Sequence, residues 1–380
     1  MMTLSAPALD ALLADLRELV ECESPSSDLA AVERSADLVA RLGSDRLGVA
    51  PERLVIEGVH HLRWRFGEPS TPAAPTGVLV LAHHDTVWPL GTLARQPFTI
   101  EDGVLRGPGC FDMLAGLVMA LHAIADLSDR EGVTLLVTGD EELGSGSSRG
   151  LIEEEARRAS AVLVLEASAD GGAIKTARKG TSLYEVDAVG RAAHAGLEPE
   201  KGINATLELA HQVLAVAALA DPAAGTSVTP TAATSGVTIN TVPAWSRFAV
   251  DVRAWSMAEQ ERVDAALRAL RPTLPGAEVR ISGGINRPPL EDSASLPLYE
   301  RAQAVAARLE LPLLTRAAVG GASDGNFTAG VGTPTLDGLG AVGGGAHADD
   351  EHVLVDRLVD RTVLLHGLLE DLLADGGGVS

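Results

Sequence analysis

His83 and Asp85 follow directly on an apolar run, residues 78–82, and stand two positions apart, so on an extended chain they share one side. An imidazole beside a carboxylate that can fix its orientation is the pairing a bound metal ion asks for. Two further apolar runs end in acid: 133–138 leads to Asp140, Glu141 and Glu142, and 161–165 leads to Glu166. Three consecutive carboxylates raise one another's cost of ionisation unless cations compensate. Asp112 lies between these runs, before an Ala- and Leu-rich stretch, and His347 follows three glycines at 343–345. A carboxylate at Asp112 turned outward would bridge two cations, and His347 is a candidate for another ligand.

Each feature has a plainer reading by itself. His-X-Asp after a strand is commonly a turn with a satisfied histidine, Asp112 at a helix start is commonly a cap, and an acidic triplet is commonly a solvated loop. What joins them is the elements that must carry them. Short apolar runs rich in Val and Leu read as strands buried on both faces. Ligands collect beyond the carboxyl ends of the strands of an open α/β sheet, so three such strands deliver His83, Glu141 with Glu142, and Glu166 to one sheet edge.

The rest of the chain fits that architecture. At 380 residues it exceeds the ~250–300 at which a single core stops growing, so two domains are expected. An amphipathic helix over 1–20, a turn and N-cap at 21–28, a second helix through Leu42, strand-like pieces near 62–66 and a Pro-rich turn at 69–75 precede the first apolar run. A long helix is expected over 113–127. From 178 the pattern changes to alternation, with half-buried antiparallel strands at 182–190, 234–240 and 246–253 and helices near 205–218 and 257–270. This reads as a small α+β domain inserted into the larger one and closed by a Gly- and Pro-containing linker, 283–292. It carries His194, Asn240 and Arg253, and a core or surface histidine is the ordinary reading of His194. The α/β pattern then resumes with a Gly-rich turn, 320–326, that lacks the spacing of a nucleotide loop, and ends in a helix over 354–373.

Composition narrows the function classes. A formal charge of −22 argues against nucleic acid, whose phosphates need clustered Lys and Arg. Cys22 and Cys110 make neither a disulfide framework nor a thiolate metal site, so a reducing compartment is expected. The first 20 residues lack the pattern of a secretory signal, and no apolar run reaches the ~18 residues of a membrane span. A cytoplasmic protein with no membrane partner is the expectation.

Taken in order, His83-X-Asp85, Asp112, Glu141-Glu142, Glu166 and His347 resemble the motifs of the di-zinc metallopeptidase family of glutamate carboxypeptidase, succinyl-diaminopimelate desuccinylase and aminoacylase. The resemblance covers essentially the whole chain and is nearest to glutamate carboxypeptidase. It implies an α/β catalytic domain over 1–178 and 290–380, with a mixed sheet and helices on both faces, and an inserted α+β, ferredoxin-like lid and dimerisation domain over 179–289. It further implies that His83 and Glu166 hold one metal ion, Glu142 and His347 the other, and Asp112 bridges them, while Asp85 orients His83 and Glu141 is the general base. Imidazole and carboxylate donors without sulfur suit two zinc ions, with cobalt or manganese as alternatives. Two such cations, roughly 3.5–4 Å apart, lower the pKa of a bridging water and polarise the scissile carbonyl.

The same resemblance implies a homodimer in which His194 reaches the partner subunit's site as an oxyanion donor. Arg253 and Asn240 match positions that hold a substrate's free carboxylate, with Gly321 and Ser323 adding contacts. One position departs: Leu114 stands where relatives commonly carry lysine, two residues after the bridging aspartate. The expected activity is hydrolysis of an amide bond in N-acyl amino acids or small peptides with a free C-terminal carboxylate, and Lys175, Arg178 and Lys179 are candidates to meet an acidic side chain. The alternatives are a dipeptidase or aminopeptidase that reads a free amine, and a catalytically silent binder of small acids. Arg253 speaks against the first. Glu141 speaks against the second, because binding alone has no use for a proton shuttle.

Overall fold

The computed structural model describes residues 6–68 and 70–374. Residues 1–5 of the expected first helix, and Pro69 of the expected turn, lie outside them. One compact unit joins the residues up to Ala177 with Asp292–Val319 and those from Ser323 onward; the other joins Arg178–Glu291 with Gly320–Ala322.

The main sheet of the first unit has, among the described residues, six strands: β1 (Glu52–Ile56), β2 (Val59–Arg65), β3 (Val78–His83), β4 (Val133–Thr138), β5 (Ala161–Val164) and β6 (Thr335–Leu336). They lie in the order β1-β2-β4-β3-β5-β6. β1, β2 and β4 pair antiparallel, whereas β4, β3, β5 and β6 run parallel, so the sheet is mixed. The helices α1 (Ala6–Glu21), α2 (Leu29–Leu47), α3 (Ala115–Ala125), α4 (Arg149–Arg158), α5 (Asp292–Arg308) and α6 (Val355–Ala374) flank it. Every residue of β3 and β5 is buried, and alternate side chains enter different cores. Val78, Val80 and Ala82 pack with Leu16, Val39, Leu117, Leu298 and Leu365, while Leu79 and Leu81 pack with Ile152, Ala156 and Phe327. Helices therefore cover both faces, which is why these strands are continuously apolar instead of alternating. Each fully buried Val or Leu contributes about 1.5–3 kcal/mol.

Local rules set the helix ends. The Asp28 side chain accepts from Ala31 N–H and caps α2, which runs past the expected end at Leu42 to a left-handed Gly48 at φ 73°. α3 begins at Ala115 because residues Cys110–Leu114 form a π-turn instead. Leu114 is buried in the core, an apolar packing position. No helix among the described residues is long and apolar enough to cross a membrane.

The second unit has a β-α-β-β-α-β order: strand Gly180–Val189, helix Ala205–Ala217, strands Ser227–Ser235 and Trp245–Ala254, helix Met257–Arg268 and strand Glu278–Arg287. Its sheet runs Ser227–Ser235, Trp245–Ala254, Gly180–Val189, Glu278–Arg287, antiparallel throughout, which is a ferredoxin-like arrangement. Val186, Phe248, Val250, Val252, Val263 and Leu267 form its core. Two expectations are corrected here. The strand expected at 234–240 lies earlier, and Gly236 at φ 63° turns the chain out of it. The glycines of the expected 283–292 linker belong to the fourth strand, where a Cβ on Gly283 would come within 2.2 Å of the Leu183 carbonyl oxygen. Glycine there marks close backbone approach.

Candidate metal centre

Because β3, β4 and β5 are parallel, their carboxyl ends share one edge of the sheet, and each hands over a polar residue there. His83 ends β3, the turn Glu141–Leu143 follows β4, and Glu166 follows β5. His83 is 1 % exposed. Its Nδ1 lies 2.9 Å from the Asp85 carbonyl oxygen, so Nδ1–H donates there and leaves the Nε2 lone pair facing the site. Nε2 is buried and has no hydrogen-bond partner among the described residues. It faces Asp112 Oδ1 at 3.8 Å and Glu166 Oε1 at 3.7 Å.

Asp112 reaches this point from the π-turn. Gly109, left-handed at φ 72°, opens the turn, and Asp112 is extended at φ −115°, ψ 96°, so it does not cap α3. Its two oxygens face different imidazoles: Oδ1 toward His83, and Oδ2 toward His347 Nε2 at 3.4 Å. His347 also lies 3.1 Å from Glu142 Oε2. Ligand atoms of His83, Asp112 and Glu142, and of His83, Glu141 and Glu166, fall within 4.8 Å of one another. Two donors at tetrahedral positions about 2.0–2.1 Å from one zinc ion stand roughly 3.3–3.4 Å apart, so these spacings fit cations shared among the groups. The unpartnered Nε2 of His83 makes the same point independently, because a buried acceptor left bare is costly.

Five carboxylates, Asp85, Asp112, Glu141, Glu142 and Glu166, meet two imidazoles here. Hydrogen bonds to Asp112 and Glu142 push His347 up to about 10. Burial alone would depress His83, but Asp112 and Asp85 overcome it and raise it well above its ordinary value. Burial alone would raise Asp112, and the two imidazoles instead hold it far below the usual carboxylate range. All three directions say that positive charge is stabilised at this point.

Asp85 is fully buried and braces the acidic turn. Its Oδ1 accepts from Glu141 N–H and its Oδ2 from Glu142 N–H, both at 3.2 Å, and Oδ2 accepts from the Ser26 hydroxyl at 2.6 Å. Its carboxylate stands 3.4 Å from His83 Nδ1, farther than its own carbonyl. Asp140 turns away from the site. It accepts from the backbone N–H and the hydroxyl of both Ser147 and Ser148, which removes one member of the acidic triplet from the electrostatic conflict.

In the second unit, residues Ala193–His194 pair with Thr241–Val242 and Ala195 N–H donates to the Asn240 carbonyl, so His194 and Asn240 come together. Both are exposed. Arg253 lies elsewhere, at the far end of the Trp245–Ala254 strand, roughly 26 Å from Trp245 at ~3.3 Å per residue. Its Nε and Nη2 donate to the two oxygens of Asp251 and its Nη1 to Thr181, each at 2.9 Å. The Gly321 carbonyl accepts from Arg178 Nη1. Ser323 is 1 % exposed and its hydroxyl donates to buried Asp337 at 2.6 Å, so the structure commits it to the protein interior.

Sequence reasoning missed Ser26, Asp140's partners and Glu351. Ser26 reads as part of a turn, and only the pairing of its segment with Thr86 brings it to Asp85. Glu351, four residues after His347, carried no signal beyond its charge, yet its carboxylate accepts from the backbone of the Asp112 turn.

Known proteins resemble this chain in sequence and in fold. The profile of peptidase family M20/M25/M40 matches residues 79–371. Carboxypeptidase G2 of Pseudomonas sp. (strain RS-16) is 32% identical over 308 residues, 78% of this chain and 74% of that protein. Succinyl-diaminopimelate desuccinylase 2 of Shewanella loihica is 28% identical over 330 residues, covering 80% of this chain and 85% of its own. In fold, the chain resembles the Bacillus subtilis YXEP protein, described as a dinuclear metal binding peptidase, with a TM-score of 0.67 at 14% identity over 96% of this chain and 98% of the other.

Proposed function

The chain belongs to peptidase family M20/M25/M40, and on that premise we propose that it hydrolyses an amide bond in N-acyl amino acids or small peptides with a free C-terminal carboxylate. The observation that carries the reading is the turn after β4. It puts Glu142 beside His347 and Glu141 within 4.8 Å of His83 and Glu166, which brings two adjacent glutamates to one site. In this reading Glu142 is spent as a ligand and Glu141 carries the proton.

His83 and Glu166 would hold one divalent ion, Glu142 and His347 a second, and Asp112 would face both. Two zinc ions, or cobalt or manganese in their place, would supply there an acidified water and a polarised carbonyl. Glu141 takes the water's proton and passes it to the departing amine. Asp85 keeps Glu141 and Glu142 in register by holding both of their backbone N–H groups. His83 presents its lone pair because the Asp85 carbonyl fixes its tautomer. His194 and Asn240 stand at the opposite end of the strand from Arg253, which supports a homodimer in which His194 serves the partner subunit's oxyanion and the substrate carboxylate draws contacts from two subunits.

Asp251 favours a second reading. Its carboxylate takes two Arg253 donors, one on each oxygen, and the remaining lone pairs would receive a free amine, the group a dipeptidase or aminopeptidase recognises.

The test is hydrolysis of a panel of N-acyl amino acids, C-terminal glutamate conjugates and dipeptides by zinc-, cobalt- and manganese-loaded protein, beside Glu141→Gln. Cleavage of the carboxylate-bearing class, with a loss of at least ~100-fold in the Gln variant, is the expected result. Arg253→Ala should then raise KM for those substrates. An unchanged KM in Arg253→Ala with a raised one in Asp251→Asn moves the second reading to the front. Two bound metal equivalents and no turnover on the whole panel would leave a silent binder of small acids.

A further inference from the structure

Glu351 is 4 % exposed, and no step above uses it. Its Oε1 accepts from Phe111 N–H at 2.9 Å and Asp112 N–H at 3.0 Å; its Oε2 accepts from Gly109 N–H at 2.9 Å and the Trp88 indole N–H at 2.7 Å. None of the four donors can reverse its role, because a backbone amide and an indole nitrogen only donate. On its own strand of chain, Glu351 N–H donates to the Ala348 carbonyl and Ala348 N–H to the Gly345 carbonyl. These bonds close the turn that carries His347, which sits at φ 62°, in the left-handed region that non-glycine residues seldom occupy. One residue is thus fastened by its side chain to the turn bearing Asp112 and by its backbone to the turn bearing His347. Those two side chains meet at 3.4 Å.

We propose that Glu351 is a positioning residue that clasps the Asp112 turn to the His347 turn and so sets the spacing of Asp112 and His347 before any ion arrives. The inference rests on the reading of Asp112 and His347 as ligands. The π-turn leaves the N–H groups of Gly109, Phe111 and Asp112 converging on one point, a cradle for an anion, and Glu351 is the anion that fills it. A turn held this way keeps the Asp112 carboxylate aimed. A looser turn would let it swing, and the site would have to be assembled at the expense of metal affinity.

The decisive variant is Glu351→Gln, which keeps size and removes the charge. Gln offers one oxygen and one NH2, and either orientation sets that NH2 against two N–H donors. Equilibrium dialysis of Co2+ against folded protein should show wild type taking two equivalents, and Glu351→Gln binding one of them about 10- to 100-fold more weakly. Trp88→Phe removes only the indole donor and leaves the three backbone bonds, so it should retain both equivalents even where thermal stability falls. Hydrogen exchange on chelator-treated wild type supplies a measurement that needs no variant: the amides of Gly109, Phe111 and Asp112 should already be protected.

Wild-type affinity for both equivalents in Glu351→Gln overturns the proposal. So does a loss in Trp88→Phe as large as in Glu351→Gln, since metal affinity would then follow any weakening of the packing. Should Glu351→Gln fail to fold, exchange decides, and fast exchange of those amides without metal overturns the clasp. Wild type that binds two equivalents yet hydrolyses nothing sinks the amidohydrolase reading and leaves the clasp standing. Active wild type with an unaltered Glu351→Gln sinks the clasp alone.

Discussion

Asp85→Asn is an isosteric change whose consequence follows from counting donors. The carboxylate is 0 % exposed and receives Glu141 N–H on Oδ1, and Glu142 N–H and the Ser26 hydroxyl on Oδ2. Asparagine must place its NH2 on one side. On the Oδ1 side it would confront Glu141 N–H and the Nδ1–H edge of His83; on the Oδ2 side the Ser26 hydroxyl can reverse and accept, so the NH2 goes there. Glu142 N–H then loses its acceptor. An unpaired buried N–H costs about 1–3 kcal/mol, so the metal-free protein should lose that much unfolding free energy in urea. With the Glu142 backbone released, kcat/KM of the metal-loaded enzyme should fall about 10- to 100-fold. Ser26→Ala is the control: it keeps both backbone bonds and should lose about 1 kcal/mol or less. The pH dependence carries a sign. Burial pushes the Asp85 carboxyl up, but the hydrogen bond and charge of His83 hold it below its ordinary value. Its contribution is therefore present above the unfolded carboxyl pKa of about 3.9 and is lost as pH falls through the lower folded value. Asp85→Asn should flatten that acid limb. Stability and kcat/KM in Asp85→Asn no worse than in Ser26→Ala would refute the donor count.

Mixing inactive Glu141→Gln with inactive His194→Ala should restore about a quarter of wild-type activity, since half the dimers are mixed and one of their two sites is complete; no recovery after subunit exchange means His194 does not act across a dimer. Chelation should lower the unfolding free energy by about 2.7 kcal/mol per site relative to protein at free metal 100 times the dissociation constant, and unfolding midpoints insensitive to chelator would contradict a resident pair of ions. Away from the site, buried Asp15 joins three helices by accepting from Arg46 Nε and Nη2 and from His122 Nε2 at 2.8–3.0 Å. Burial raises its carboxyl, but His122 and Arg46 together hold it below the ordinary value. Its stabilisation is present above about pH 3.9 and lost as pH falls through the folded value, so Asp15→Asn should cost about 1–3 kcal/mol at pH 7 and progressively less in acid, read from urea curves.

The residues at the strand ends were legible because burial writes itself into the sequence. A strand covered on both faces must be apolar throughout, so the places where β3, β4 and β5 stop being apolar mark one sheet edge, and His83, Glu141, Glu142 and Glu166 stand there. The second unit was legible by its alternation, which follows from a sheet with one covered face. Its fourth strand was hidden, since Gly283 reads as a breaker when the real reason for it is the approach of the Leu183 carbonyl.

What the sequence by itself determined is the set of elements and the polar residues at their ends. Only the tertiary structure decided which way those residues face and what holds them. Asp112 could have been a cap, Asp140 could have joined the ligands, and Arg253 carries no sign of Asp251's grip. Ser26 reaches Asp85 from 59 residues away and Glu351 reaches Asp112 from 239 residues away. The physical reason is that periodicity records solvent and apolar surroundings averaged along an element, whereas a hydrogen-bond partner depends on where two distant backbones cross, and a crossing leaves no period in either segment.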